Sequence, residues 1–181
     1  LLWRYEWRDN LWRTTPVSDF TGDGVRDVLV GTQDGYVVGI DGENGDEIWK
    51  TQLVSEYEAV DERGDPWKKI PRGIWDILPG PSDERVIVSS EDGFVRAITV
   101  PGGSIDWEVE LVTRVAGEIL DTYQQTVGHP TGPGSPHFFN LRAQPVSDLT
   151  GDNREDLLLT SYLGAGRMED PRHAGMYVLD G

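Results

Sequence analysis

Pro16-Val-Ser-Asp-Phe-Thr-Gly-Asp-Gly-Val-Arg-Asp-Val-Leu-Val30, followed by Asp34-Gly35 and the run Tyr36-Val-Val-Gly-Ile40, decides how this chain is read. Two apolar runs separated by Asp-Gly are the signature of a β-hairpin, because both turn positions favour positive φ. The succession recurs. Trp75-Asp-Ile-Leu-Pro-Gly-Pro-Ser-Asp-Glu-Arg-Val-Ile-Val88 leads to Asp92-Gly93 and Phe94-Val-Arg-Ala-Ile98, while Pro145-Val-Ser-Asp-Leu-Thr-Gly-Asp-Asn-Arg-Glu-Asp-Leu-Leu-Leu159 reaches Gly175-Met-Tyr-Val-Leu179 after a detour. In the first two repeats a second Gly-rich turn, Asp41-Gly-Glu-Asn-Gly45 or Pro101-Gly-Gly103, introduces a Trp-bearing run at Ile48–Leu53 or Ile105–Leu111.

Each full repeat thus predicts four antiparallel strands. Strand A leads into the acidic loop, B is the first apolar run, C follows Asp-Gly, and D carries Trp. Repeated four-stranded units are propeller blades, so the expected fold is an all-β propeller segment with about three blades' worth of strands. Residues 1–9 read as a strand D of a preceding or closing blade, since Leu2-Trp3-Arg-Tyr-Glu-Trp7 matches the Trp-bearing run. Blade one spans residues 10–54, blade two 73–112, and blade three, lacking its last strand, 140–181, with long inter-blade loops at 55–72 and 113–139. The order D, ABCD, ABCD, ABC describes a piece of a larger propeller or a subunit that completes one. The opening Leu1-Leu2, without Met, is expected to follow a processed or trimmed segment.

The pattern Gly35-x-Val37-x-x-Ile40-Asp41, then Gly45 and Trp49, resembles pyrroloquinoline-quinone-type propeller repeats. The acidic loops resemble the calcium-binding FG-GAP and VCBS repeats of integrin α-subunits and many secreted proteins. In the first loop Asp19, Thr21, Asp23 and Asp27 fall at relative positions 1, 3, 5 and 9, with the carbonyl of Val25 at 7; the third repeats this with Asp148, Thr150, Asp152, the carbonyl of Arg154, and Asp156. A tight turn with oxygens on alternate residues suits Ca²⁺, which takes six to eight oxygen ligands. Two calcium sites are therefore expected, structural rather than catalytic. Val30 and Leu159 stand where an EF-hand needs its bidentate Glu, so these are strand-loop-strand sites. The second loop, Pro79-Gly-Pro-Ser-Asp-Glu84, lacks the carboxylate spacing and is expected to be metal-free. Two solvated acidic turns without metal are the plainer alternative.

Strand order assigns faces. A–B and C–D turns lie at one end of an antiparallel blade, B–C and D–A connections at the other. The long excursions are D–A or B–C connections, so they fall opposite the acidic loops. They carry Trp67, Lys68, Lys69 and Arg72, then Tyr123, His129, His137 and Phe138, then Arg167, Arg172 and His173. A relatively basic, aromatic rim on an acidic protein suits a protein or carbohydrate partner; the same loops can equally well cover one another. No metal-type spacing links the histidines.

The balance of 32 acidic against 16 basic residues, net −16, repels phosphate backbones and excludes nucleic-acid partners. No apolar run approaches the ~20 residues that insert in a bilayer. The 13 Arg and three Lys suit either concentrated salt or an acidic extracellular setting. With no Cys there is no thiol chemistry. These features predict a calcium-stabilised propeller outside the cytoplasm, at the cell surface or in the periplasm. It would serve as a non-enzymatic binding, adhesion or assembly module through its long-loop face, with self-assembly through the terminal strands a further expectation. The enzymatic alternative is part of a quinoprotein dehydrogenase or polysaccharide lyase; no catalytic group can be singled out for it.

Overall fold

The computed structural model describes residues 1–54, 57–60, 66–70, 73–80, 83–92, 94–110, 139–163 and 174–179. Among them every regular element is a strand. Blade one is the antiparallel sheet β1 (Leu11–Pro16), β2 (Val28–Thr32), β3 (Tyr36–Ile40) and β4 (Glu47–Gln52), in that order. A separate hairpin follows, β5 (Tyr57–Val60) with β6 (Pro66–Ile70). Blade two is β7 (Ile74–Pro79), β8 (Arg85–Ser90), β9 (Phe94–Thr99) and β10 (Ile105–Glu110); blade three is β11 (Phe139–Val146), β12 (Asp156–Leu163) and β13 (Ala174–Leu179). The fold is the all-β, partial propeller that the repeats predict.

Burial explains the residue patterns. In β2 and β3 consecutive residues on both faces are buried, whereas β1 and β4 alternate between covered and open positions. Middle strands lie between neighbouring blades on both sides and read as continuous apolar runs; flanking strands keep the period of two. Three layers of core result. Leu29 and Val37 of blade one meet Ile77, Val86, Val88 and Ile98 of blade two. Ile87, Val95 and Ala97 of blade two meet Leu157 and Leu159 of blade three. Val30, Val38 and Ile40 are covered by Trp3, Tyr5 and Trp7. Fully burying such a side chain contributes roughly 1.5–3 kcal/mol.

The first strands of the blades converge. β1 adjoins β7, which adjoins β11, and side chains fasten the first pair: Arg13 Nε donates to the Trp75 carbonyl (2.8 Å), and Thr15 Oγ1 to that of Ile77 (2.7 Å).

Two features differ from the sequence reading. Residues 1–7 form no strand; no third strand lies beside them among the described residues to supply a ladder, so only their aromatic side chains dock. The stretch 55–72, read as loop, contains the β5–β6 hairpin, whose short mixed runs lack the uniform apolar character of a strand buried on both faces.

Candidate functional site

Both acidic loops sit where the first strand of a blade turns into the second, and their hydrogen bonds match almost bond for bond. Asp19 Oδ1 accepts from the Gly22 N–H (2.6 Å) and Oδ2 from that of Gly24 (2.7 Å). In blade three Asp148 accepts from Gly151 and, at 2.7 Å, from Asn153. Asp23 and Asp152 each accept from the N–H two residues on, Val25 (2.7 Å) and Arg154 (2.9 Å). Gly24 and Asn153, with φ of 90° and 68°, turn the chain at equivalent places; asparagine is among the few non-glycine residues that tolerate this region. The main-chain donors, those of Gly24 and Gly151 foremost, hold the Asp19 and Asp148 carboxyls below the usual range.

The ninth position plays a different part. Asp27 is wholly buried, its Oδ2 accepting from Phe20 (2.8 Å) and Thr21 (3.1 Å) and its Oδ1 from Gly42 (3.0 Å). It thereby ties the A–B loop to the C–D turn of the same blade. Asp156, also buried, accepts from Leu149 and Thr150. The sequence spacing marks these residues as ligands but gives no sign of this internal engagement. In blade two the equivalent position is Arg85, which pairs with Asp106 at 2.9 Å while Gly80 donates to its carbonyl. Thr21 Oγ1 donates to Asp19 Oδ1 at 3.2 Å. Val25 is exposed. The loops offer oxygen donors, the kind a hard cation takes, but among the described residues no three Asp, Glu or His side chains converge in a metal-holding group.

At the opposite end, the B–C turns carry ion pairs with largely covered carboxylates, Asp34 with the exposed Arg8 and Asp92 with the buried Arg96. Asp34 accepts from Thr32 Oγ1 (2.6 Å), Trp7 Nε1 (2.8 Å) and Arg8 Nε (2.9 Å). Burial pushes its carboxyl up, but these donors outweigh the desolvation and hold it below the ordinary range. Asp92 stands at the same place in blade two and pairs with Arg96 at 2.7 Å, the guanidinium lying over the Phe94 ring. In blade one Arg8 likewise lies over Tyr36, the residue equivalent to Phe94. One arrangement of acid, cation and ring is thus built twice, with the cation arriving from different parts of the chain.

Near the start of the first strand of blades one and two is a β-bulge, between Leu11 and Arg13 and again between Ile74 and Asp76. The bulged residues, Trp12 and Trp75, meet edge to face at 5.8 Å. Sequence comparison alone does not pair the two, because the recurring tryptophans are those of the D strands. The D-strand set packs between layers: the Trp3 ring lies against Gly45 and the Trp49 ring against Gly103, the equivalent turn glycine of the next blade.

All three insertions leave from the end opposite the acidic loops: between β4 and β7, between β10 and β11, and between β12 and β13. Of the residues expected on that rim, Trp67, Lys68 and Lys69 lie on β6, with Lys68 opposite Ala59 and Lys69 opposite Glu58. Arg72, Tyr123, His129, His137, Phe138, Arg167, Arg172 and His173 fall outside the described residues.

A family model described as outer membrane protein assembly factor BamB matches residues 1–130, which contain the Trp–Gly contacts and both complete blades. The chain belongs to this family. The BamB match covers the pyrroloquinoline-quinone-type repeat read in the sequence. Among solved structures the chain is similar to BamB from Moraxella catarrhalis, at 14% identity and a TM-score of 0.33, covering 89% of this chain and 49% of that one. It is also similar to BBS1N as crystallised in complex with ARL6DN, at 14% identity and a TM-score of 0.42, covering 83% of this chain and 36% of that one. The chain therefore spans between a third and a half of these structures. No curated protein matches it.

Proposed function

We propose that this chain is a non-enzymatic propeller module that binds and helps assemble other macromolecules through the rim bearing its insertions. The observation that carries this reading is the placement of every long insertion at one end of a scaffold whose other end is closed by short, internally bonded turns. Binding segments concentrate on loops held by a rigid frame. The family description, an outer membrane protein assembly factor, supports a protein partner and a station outside the cytoplasm, in the periplasm or at the cell surface. A carbohydrate partner remains part of the reading through the aromatic and basic residues assigned to the rim, Trp67, Lys68, Lys69, Tyr123 and Phe138 among them. The test replaces residues 55–72, 113–138 and 164–173 with short Gly-Ser linkers and measures binding to a glycan array and a library of extended peptides. The linker variant is expected to keep its melting temperature and to lose the binding of the parent chain. Undiminished binding overturns the rim assignment.

We further propose that calcium stabilises the two acidic loops in the manner of FG-GAP and VCBS repeats. Asp19, Thr21, Asp23, Asp27 and the Val25 carbonyl would hold one ion, and Asp148, Thr150, Asp152, Asp156 and the Arg154 carbonyl the other. The near-identical construction of the loops, with oxygens on alternate residues of a tight turn, supports the pairing. At a concentration 100 times its Kd an ion contributes about 2.7 kcal/mol per site. The melting temperature is expected to rise with calcium, and Asp23→Ala and Asp152→Ala each to remove part of the rise. A melting temperature indifferent to calcium and to chelator overturns the proposal.

A further inference from the structure

The bulges on the first strands of blades one and two each add one residue to the strand, and in both the added residue is a tryptophan followed by a charged side chain: Trp12 with Arg13, and Trp75 with Asp76. The blade itself does not demand them, since β11 pairs with β12 residue for residue from Phe139 to Val146. Bulges re-aim side chains and gather beside functional sites. Here they bring the two indoles together at 86° and 5.8 Å, and set Arg13 Nε 3.4 Å from Asp76 Oδ1. Gly73 permits the approach, for a Cβ there would stand 2.4 Å from the Trp12 ring. Gly73 also follows directly on the insertion between β4 and β7, and Trp12 and Trp75 are the second residues of their strands, so the cluster stands at the inner margin of the insertion-bearing end.

The rings are fixed and still accessible. Both tryptophans are half-buried, and those of blade two stay so although that blade has a neighbour packed on either side. Trp75 Nε1 is closed off from solvent with no acceptor among the described residues, so packing holds this indole in place of a hydrogen bond, at a cost to stability. The charged pair has hydrogen-bonding capacity left over. Arg13 engages the Trp75 carbonyl (2.8 Å) and Asp76 through Nε alone; among the described residues neither of its Nη groups has a partner, nor has Asp76 Oδ2. The Arg13 side chain is 40% exposed and that of Asp76 19%.

We propose that Trp12, Trp75, Arg13 and Asp76 form a seat for one neutral sugar unit of an oligosaccharide, an assignment that rests on the binding role of this rim. The C–H face of a pyranose, slightly positive, lies on the negative face of one indole, and the second ring, standing at a right angle to the first, closes the seat from the side. Guanidinium and carboxylate are planar groups that each address a pair of adjacent hydroxyls, Arg13 donating from its Nη groups and Asp76 accepting at Oδ2. Aromatic walls with a few placed polar groups are the usual makeup of a small-molecule site. The two charges of the seat cancel one another, and the chain as a whole, at net −16, repels acidic sugars. Both facts favour a neutral hexose over a uronic acid.

The test is calorimetric titration of the 181-residue chain with cellohexaose, mannohexaose and galactohexaose, with hexagalacturonate as the acidic counterpart and decaproline as a peptide that also lies on indole rings. At least one neutral hexaose is expected to bind more tightly than hexagalacturonate and to shift the tryptophan emission. Trp12→Ala and Arg13→Gln are each expected to weaken that binding by about tenfold or more, and Trp12→Ala to remove most of the emission shift. Arg13→Gln leaves both indoles in place and keeps the test decisive if Trp12→Ala loses its fold. Hexaose binding that survives both substitutions but disappears when the insertions are replaced by linkers overturns the seat and leaves the binding role of the rim standing. The seat is equally overturned if no neutral hexaose binds, if hexagalacturonate binds as tightly, or if decaproline alone binds, which assigns the tryptophan pair to a peptide.

Discussion

Asp27→Ala is expected to destabilise the protein by ~3 kcal/mol, more than any other change in the acidic loops, because it strands three main-chain donors. The Phe20, Thr21 and Gly42 N–H groups all point to this carboxylate, and the residue is fully buried. Their exposure would let water recover some of the loss, but Gly42 is pressed against the A–B loop, where even a Cβ would stand 1.9 Å from the Arg26 carbonyl oxygen. Asp156→Ala, which frees the Leu149 and Thr150 donors, is expected to cost about 2 kcal/mol on the same basis. Denaturant unfolding in the presence of a chelator checks both figures without contribution from calcium. Losses below 0.5 kcal/mol in both variants would show that the loops are not held by these carboxylates.

Trp49→Ala is expected to cost ~3–5 kcal/mol and to broaden the unfolding transition. The ring is packed against the blade-one–blade-two core, lies over the backbone of Gly39 and presses on Gly103, where an added Cβ would approach it to 2.5 Å. Thr51 of the same strand donates from Oγ1 to the Gly103 carbonyl at 2.7 Å. Truncating the indole therefore opens a cavity between blades and loosens the contact that couples them. Separate transitions for tyrosine and tryptophan fluorescence probes are expected where the parent chain shows one. A single sharp transition with less than 1 kcal/mol of loss would assign the coupling to the aliphatic core alone.

The blades were legible in the sequence because their middle strands obey a simple rule. Val28–Val30, Val86–Val88 and Leu157–Leu159 are apolar on both faces, and Asp-Gly turns set off the strand that follows in the first two repeats. The contacts between Trp3 and Gly45 and between Trp49 and Gly103 follow the recurrence of those residues. What escaped was set by neighbours distant in the chain. Trp12 and Trp75 look unrelated by spacing, yet equivalent bulges bring them together, and a bulge leaves no mark in a pattern of period two. The β5–β6 hairpin has too few apolar residues to announce itself. In the candidate site the positions of Asp19, Asp23 and Asp27 were evident, but the inward turn of Asp27 depends on Gly42, fifteen residues away. Blade one has Val38 where blade two has Arg96, and spacing alone does not show that Arg8 supplies the cation beside the B–C aspartate there.

The confinement of every long connection to one end makes the molecule a natural chassis. A segment inserted between Leu163 and Ala174 joins two strands already paired in register from Leu157–Leu179 to Tyr162–Ala174, so its length is decoupled from the geometry beneath it. Doubling a flexible connection costs only ~0.6 kcal/mol in closure entropy. Recognition sequences can therefore be exchanged, lengthened or randomised there while the opposite end, fastened by its own carboxylates, is left untouched.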